Sequence, residues 1–341
     1  MAKLKVGVIG TGSIAKYRHL VEYAGNDQVE LVAVCDINEA RAKEVGALYG
    51  VTKIFTDYHD LLKEDLDAVS VCTPNYLHAP ITVAALEAGK HVLCEKPMAT
   101  SELEANQMIE AAKNSGKTLM IGHNQRFVES HQQAREWMAT GKLGKVYSFR
   151  TAFGHPGPEA WSADGKSSWF FNKNEAFIGA MGDLGIHKID LLRYILGEEM
   201  VEVAAMLETS SKVDADVDDN AVLILKTQSG IIGTLAASWS YIGKEDNSTV
   251  FYTENGVLRL EDDENYSVVY HKNDGTKEEF SLGQIQSNEE GGQITTGVIN
   301  HFIESILTGN PPLISGEEGK KSLLVILGAL ESNDTKKIVK L

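Results

Sequence analysis

The sequence predicts an α/β chain in two parts: a doubly wound parallel sheet first, then an α+β region with a large open, mainly antiparallel sheet. Two observations predict this division. Short apolar runs alternate with helical patterns up to residue 123, whereas residues 202 to about 280 form consecutive strands joined by turns. The 341 residues, 43% hydrophobic and 23% charged, suit two globular domains. We place these domains at residues 1–123 and 124–341.

Five strands and four helices are predicted in the first domain. The strands are short, rich in β-branched residues and apolar on both faces, as in parallel sheets covered by helices. The strands are Val6–Ile9, Leu31–Cys35, Ala68–Cys72, His91–Cys94 and Leu119–Ile121. The helices are Ile14–Ala24, Glu39–Tyr49, Ala79–Ala88 and Ser101–Ser115.

The pattern changes in the second domain. A helix at 128–140 and a strand at 145–153 precede a long aromatic loop, Gly154–Glu175, and a helix, Ile178–Leu196. Loops of this length are often binding loops or lids. An open antiparallel sheet exposes one of its faces. We therefore expect a homodimer or homotetramer that associates through this sheet.

Charge and cysteine content disfavour several classes of partner. The formal net charge is −16, whereas nucleic-acid and anionic-membrane binding draw on Lys and Arg, so we expect neither partner. The three cysteines, Cys35, Cys72 and Cys94, are odd in number and widely spaced, which predicts no disulfide framework and no metal site. The N-terminus enters a strand without an apolar leader. Together with the cysteine pattern, this feature predicts a cytoplasmic protein.

A glycine-rich turn after the first strand predicts a dinucleotide site. Its residues follow the pattern G-x-G-x-x-A and are Gly10, Thr11, Gly12, Ser13, Ile14 and Ala15. The first glycine permits the tight turn, the second admits a pyrophosphate, and the helix N–H groups bind its charge. Asp36 ends the second strand about 20 residues later, where a carboxylate accepts from ribose hydroxyls and repels a 2′-phosphate. NAD is therefore favoured over NADP; the alternative is a turn without a ligand.

Polar residues follow the predicted strands Ala68–Cys72 and His91–Cys94. Ligands of doubly wound sheets bind outside the carboxyl ends of the strands, so both segments should face the nicotinamide half of the cofactor. The expected cofactor contacts are Thr73, Pro74, Asn75, His78, Glu95 and Lys96. A lysine at a strand end is also commonly a solvated charge. Pro97 fixes the turn here and admits a cis Lys96–Pro97 bond.

One later helix carries a narrow polar stripe. At helical spacing Asp183, His187, Asp190 and Tyr194 share this stripe, and apolar residues cover the remaining faces. Asp183 and His187 are four residues apart, so their side chains are neighbours. A carboxylate orients an imidazole and raises its basicity. The alternative is a solvated surface stripe.

Five motifs follow one another along the chain in an order that resembles the glucose–fructose oxidoreductase / inositol dehydrogenase / rhizopine-catabolism (Gfo/Idh/MocA) family. The motifs are Gly10-x-Gly12-x-x-Ala15, Pro74-Asn75-x-x-His78, Glu95-Lys96-Pro97, Gly122-x-Asn124-x-Arg126-Phe127 and Asp183-x-Gly185-x-His187. The resemblance covers nearly the whole chain. Many relatives carry extra glycines where this chain has Phe177-Ile178-Gly179, which puts the local shape of the pocket in question.

The resemblance implies an NAD-dependent oxidoreductase that moves a hydride between nicotinamide and a CH–OH group of a sugar, cyclitol or related polyol. Lys96 would hydrogen-bond the reacting oxygen, and His187, oriented by Asp183, would remove the hydroxyl proton. Asp183 and His187 would also contact the substrate. Further candidate substrate contacts are Asn124, Arg126, His155 and Trp161.

Three other functions remain open. A regulator would bind the dinucleotide without turnover, although it has no need of the three catalytic candidates. A glycosidase-type enzyme would use bound NAD transiently and cleave a glycosidic bond with no net reduction. A reductase would run mainly from ketone to alcohol. Turnover, product analysis and metabolite ratios distinguish these three from a dehydrogenase.

Overall fold

The computed structural model of the protein describes residues 3–282 and 295–341. Packing groups these residues into two units. The first contains residues 3–124, 161–168 and 295–320, and the second contains residues 125–160, 169–282 and 321–341. The division of the chain after residue 123 stays a prediction, because packing does not test which segments fold independently.

A parallel sheet of six strands, in the order β3-β2-β1-β4-β5-β6, forms the centre of the first unit. This doubly wound order confirms the fold class predicted for the first domain. The strands are β1 (Leu4–Ile9), β2 (Val29–Cys35), β3 (Lys53–Phe55), β4 (Ala68–Val71), β5 (His91–Cys94) and β6 (Leu119–Ile121). Only β3 had not been predicted, because it has three residues, one exposed and two partly exposed, which carry too little apolar pattern.

Five α-helices lie between these strands. They are α1 (Leu20–Ala24), α2 (Glu39–Leu48), α3 (Tyr58–Leu61), α4 (His78–Glu87) and α5 (Glu102–Ser115). A π-helical turn, Ala15–His19, leads into α1. The side chains of Asn38 and Ser101 accept backbone N–H groups at the starts of α2 and α5, which fixes where these helices begin.

Residues 295–320 complete the first unit from the far end of the chain. They include helix α9 (Val298–Thr308). Glu22 Oε1 accepts hydrogen bonds from the backbone N–H and the hydroxyl of Thr296, at 2.8 and 2.7 Å. The Ile121 N–H donates to the Ile314 carbonyl at 3.0 Å. This late segment therefore contacts α1 and pairs with β6, an edge strand of the sheet.

The second unit contains a nine-stranded sheet in the order β14-β13-β12-β11-β7-β10-β9-β8-β15. The strands are β7 (Val146–Gly154), β8 (Met200–Glu208), β9 (Asn220–Thr227), β10 (Ile232–Ser238), β11 (Thr249–Thr253), β12 (Gly256–Leu260), β13 (Val268–Lys272), β14 (Lys277–Phe280) and β15 (Val339–Lys340). All neighbours are antiparallel except β7 and β10. This mixed sheet confirms the predicted, mainly antiparallel architecture.

The two faces of the larger sheet differ in burial. Leu223, Leu225 and Leu235 are fully buried on one face, in a core that includes residues of α6 (Glu129–Ala139), α8 (Ile186–Leu196) and α10 (Gly316–Thr335). The long loop predicted at 154–175 contains short helical turns, and α7 (Lys173–Ala176) begins near its end. Among the described residues, no helix has the length and apolar character needed to cross a bilayer.

The opposite face carries several exposed apolar residues on neighbouring strands. Met206, Val222, Ile224 and Ile232 are 74%, 56%, 53% and 52% exposed. Met206 and Val222 stand opposite each other on neighbouring strands. Monomeric proteins rarely expose apolar residues side by side in this way.

Candidate active site

The glycine-rich turn lies where the strand order of the first sheet reverses, between β1 and β4. Gly10 has φ +90°, and a Cβ on it would lie 2.4 Å from the Cys72 carbonyl oxygen, so the turn requires glycine. A Cβ on Gly12 would meet nothing within 4 Å, so the backbone faces open space there. Ala15 is fully buried beneath the turn. These features suit a backbone that a phosphate approaches closely.

Asp36 is fixed against this turn. Its Oδ2 accepts hydrogen bonds from the Thr11 N–H at 2.8 Å and the Thr11 hydroxyl at 2.9 Å, and its Oδ1 accepts from the Asn38 N–H at 2.9 Å. The carboxylate is therefore held at the end of β2, at the position expected for a ribose-binding residue.

The segment 161–168 also contacts the dinucleotide turn. The Ser13 hydroxyl donates to the Trp161 carbonyl oxygen at 2.7 Å, and the Arg41 guanidinium on α2 pairs with Asp164. The segment thus joins the start of the first helix to α2. Trp161 therefore belongs to the first unit, together with the glycine-rich turn, whereas the sequence had grouped it with His155 in a single loop.

His78 connects two of the predicted cofactor-binding turns. It is buried, and its Nδ1 and Nε2 lie 2.7 Å from the Pro97 carbonyl oxygen and 2.8 Å from the Thr73 carbonyl oxygen. Both ring nitrogens are thus engaged inside the protein. We therefore revise His78 from a cofactor contact to a link between the turns after β4 and β5. The Lys96–Pro97 bond is cis.

Glu95 likewise turns towards the protein interior. Its Oε1 accepts from His19 Nε2 at 2.9 Å, and its Oε2 accepts from the Lys96 N–H at 3.2 Å. We therefore revise Glu95 from a cofactor contact to a support of the turn that carries Lys96. The sequence had given His19 no role.

Some buried polar atoms of the first unit have no hydrogen-bond partner among the described residues, and two of them follow strands of the parallel sheet. These two atoms are Asn124 Oδ1 and Thr73 Oγ1. Such an atom costs about 1–3 kcal/mol unless something satisfies it. With the open space over Gly12, they are the features of the first unit that best fit a bound dinucleotide or polar substrate.

Asp183 and His187 lie on one continuous helical segment of the second unit. A π-helical turn, Met181–Gly185, carries Asp183 and runs into α8, which carries His187. Asp183, Asp190 and Tyr194 are 8%, 1% and 8% exposed, so the alternative of a solvated surface stripe is wrong. Such π-helical turns occur frequently at functional sites.

Trp239 and Asp218 hold this segment, and the sequence had indicated neither. Asp183 Oδ2 accepts from Trp239 Nε1 at 3.2 Å. The Asp218 carboxylate accepts from the Gly179 and Met181 N–H groups, each at 2.8 Å. Burial raises the pKa of Asp218 to about 6. A Cβ on Gly179 would lie 1.9 Å from the Asp218 carbonyl oxygen. In the segment Phe177-Ile178-Gly179, glycine is therefore required at the last position so that the two backbones can approach this closely.

His155 and His187 both pack against the Phe153 ring, whose centroid lies 6.1 Å from that of His155 and 5.9 Å from that of His187. His155 Nδ1 accepts the Gly157 N–H at 3.0 Å, which assigns the ring proton to Nε2.

Arg126 is buried in an ion pair. Its Nε and Nη2 donate to Asp190 Oδ2 and Oδ1 at 2.8 and 2.7 Å, and the two residues are 4% and 1% exposed. A guanidinium committed to a bidentate pair inside the protein supports the fold. We therefore revise Arg126 from a substrate contact to a structural residue.

Comparison with known proteins assigns both parts of the chain to one family. Residues 4–123 match the profile described as "Oxidoreductase family, NAD-binding Rossmann fold", and residues 131–259 match the "GFO/IDH/MocA C-terminal domain". The chain is 29% identical to a myo-inositol 2-dehydrogenase from Thermotoga maritima, over 99% of this chain and 98% of that protein.

Two further relatives agree. A levoglucosan dehydrogenase from Pseudarthrobacter phenanthrenivorans is 31% identical, over 76% of this chain and 74% of that protein. A solved levoglucosan dehydrogenase in complex with NADH and levoglucosan has a TM-score of 0.86 and 25% identity, over 99% of each chain. The chain therefore belongs to the Gfo/Idh/MocA family of oxidoreductases, and its first domain is an NAD-binding Rossmann fold.

Proposed function

We propose that this protein transfers a hydride between NAD and a CH–OH group of a sugar, cyclitol or related polyol. The observation that carries this proposal is the placement of Lys96. It follows β5, at the edge of the sheet where the glycine-rich turn also lies. Doubly wound sheets bind their ligands at this edge, so an ammonium there is suited to the oxygen of a group that reacts with a dinucleotide.

Each residue has a role in this proposal. Gly10, Gly12 and Asp36 bind the dinucleotide, and bound NAD supplies the hydride acceptor. Lys96 hydrogen-bonds the substrate oxygen and stabilises its developing negative charge. His187 removes the hydroxyl proton, which makes hydride loss from the carbinol feasible.

Other residues support binding and position. Asp183, held by Trp239, orients His187 on the same helical segment. Asn124 and His155 hydrogen-bond substrate oxygens, because both present polar groups suited to a polyol. The relatives support this substrate class, since their names state inositol and levoglucosan as substrates. Ser13 belongs to the cofactor-binding turn, and Trp161, whose carbonyl oxygen accepts from the Ser13 hydroxyl, is a candidate substrate contact.

NAD is favoured over NADP because of the charges around Asp36. Its carboxylate repels a 2′-phosphate. The cation on the following helix, Arg41, is already paired with Asp164. We also place the protein in the cytoplasm, because its three cysteines are buried free thiols, as in reducing compartments.

The test is a turnover screen of the purified protein with NAD or NADP and a panel of inositols, aldoses and anhydrosugars. We expect the absorbance of the reduced cofactor to rise with at least one polyol, and faster with NAD. Tight NADH binding without turnover on any polyol would instead indicate a regulator. Cleaved glycoside without net NADH would indicate transient oxidation. The same screen is run in reverse with NADH and ketone substrates, and turnover confined to this direction would indicate a reductase.

We further propose that two or four copies associate through the exposed face of the larger sheet. Met206, Val222, Ile224 and Ile232 lie there on three neighbouring strands, and a second copy of the same face would bury them. The wild-type protein should therefore elute above the mass of one chain in light-scattering chromatography.

Charged substitutions on this face test the association. Met206→Glu with Ile224→Lys should shift the protein to single chains, because each buries a charge in the interface. The matched control is Leu103→Lys, which changes a residue of α5 that is 68% exposed. A wild-type protein of single-chain mass, or a double variant that stays associated, would contradict this proposal.

A further inference from the structure

His19 is the buried centre of a hydrogen-bonded chain beneath Lys96. It is 3% exposed. Its Nε2 contacts Glu95 Oε1 at 2.9 Å, and its Nδ1 contacts the Ser70 hydroxyl at 3.0 Å. The Ser70 oxygen lies 2.8 Å from the Tyr23 hydroxyl. Both nitrogens of the ring thus have partners, which fixes its orientation.

The directions of the pKa shifts favour opposite charges on His19 and Glu95 within this hydrogen-bonded cluster. Burial by itself lowers the pKa of His19, but contacts to Cys72 and Glu95 outweigh it and hold the pKa well above its usual value. Burial raises the pKa of the Cys72 thiol, whereas His19 lowers it. Burial also opposes ionisation of Glu95, but the hydrogen bond and charge of His19 lower the pKa of that carboxyl. Glu95 is therefore the anionic partner of His19.

Glu95 connects this pair to the backbone of Lys96. Its second oxygen accepts the Lys96 N–H at 3.2 Å. A Cβ on Gly122 would lie 3.0 Å from Glu95 Oε1, so glycine keeps this space open for the carboxylate. If the carboxylate lost His19, it could turn towards solvent or another cation and release the Lys96 N–H.

We propose that His19 is a positioning residue for Lys96, acting through the carboxylate of Glu95. This inference rests on the proposed function, in which the Lys96 ammonium contacts the substrate oxygen. His19 touches neither substrate nor cofactor in this proposal. His19 fixes the Glu95 carboxylate. That carboxylate accepts the Lys96 N–H and so holds the backbone from which the lysine side chain extends.

The kinetic test compares His19→Ala and His19→Gln with wild type. Misplacement of a reacting group by about 1 Å costs on the order of 10²-fold in rate, so His19→Ala should lower kcat by about that factor. The KM for NAD should change little, because the glycine-rich turn is intact. His19→Gln should retain more activity, since its amide can still donate to Glu95. The matched control is His91→Gln at the opposite end of β5, where His91 Nδ1 accepts the Thr118 N–H at 3.0 Å.

Variants of Glu95 separate positioning from general loss of packing. Glu95→Gln keeps an oxygen that accepts the Lys96 N–H and an amide that donates to a neutral His19. Glu95→Ala keeps neither. Glu95→Gln should therefore retain clearly more kcat than Glu95→Ala, although both lose the charge. Equal activity of the two variants would overturn the proposal.

Hydrogen exchange provides a measurement that does not depend on turnover. In His19→Ala the peptide that contains the Lys96 amide should exchange faster than in wild type, whereas His91→Gln should leave it unchanged. If wild type turns over no polyol but the exchange difference holds, the proposed function fails and the positioning role stands. If His19→Ala keeps the wild-type kcat, or the Lys96 amide keeps its protection, the positioning role fails.

Discussion

Lys96→Met is expected to lower kcat by about 10²–10³-fold while the affinity for NADH stays close to that of wild type. Methionine has nearly the length of lysine but neither charge nor donor. The substitution therefore removes the group proposed to stabilise charge on the substrate oxygen, and one such donor is worth about 10²–10³ in rate. Stopped-flow turnover measures kcat, and NADH fluorescence measures binding.

A second lysine of the same strand region provides the control. Lys90 precedes β5, and its ammonium donates to the carbonyl oxygens of Glu64 and Leu66 at 3.1 and 2.9 Å. Lys90→Met should leave kcat within about threefold of wild type, because it lies at the other end of the strand from the ligand-binding edge. Full turnover in Lys96→Met would overturn the proposed role of the lysine. Loss of both turnover and NADH binding would show instead that Lys96 serves mainly the cofactor.

Arg126→Met is expected to lower the free energy of unfolding by about 3–5 kcal/mol, because it leaves the Asp190 carboxylate buried without its bidentate partner. The remaining contacts of Asp190 are weaker. The Ser322 hydroxyl donates to it at 3.1 Å, and Arg193 lies 3.6 Å away while also paired with Glu199. Urea unfolding, followed by circular dichroism, measures the change.

An exposed pair of the same chemistry is the control. Arg259 and Asp262 form an ion pair in which the arginine is 36% exposed, so Arg259→Met should cost at most about 1 kcal/mol. Arg126→Lys should lie between the two, since an ammonium cannot reproduce the two parallel hydrogen bonds. A loss below about 1 kcal/mol in Arg126→Met would contradict the structural role and would restore Arg126 as a candidate substrate contact.

The sequence predicted both sheets and the strands of the first unit except β3, because hydrophobic pattern and glycine spacing are local signals. The motifs also contained the residues around the candidate site, but they did not show which way each side chain faces. Glu95, His78 and Arg126 were therefore expected at ligands, although their polar atoms bond within the protein.

His19, Asp218 and Trp239 could not be assigned from the sequence for a related reason. Each contacts a residue that is far away along the chain: His19 contacts Glu95, Asp218 contacts Gly179, and Trp239 contacts Asp183. No local spacing rule connects such positions. They became visible only when strands and helices brought distant carboxylates, amides and rings within hydrogen-bond distance.

The late segment that pairs with β6 and contacts α1 has a consequence during translation. All six parallel strands leave the ribosome long before Thr296 and Ile314 are synthesised. Until then the β6 edge is unpaired, and unpaired strand edges invite association with other chains. A nascent chain of this protein therefore exposes the unpaired edge of β6 for most of its synthesis. Its first unit reaches its final form only when almost the entire polypeptide has emerged.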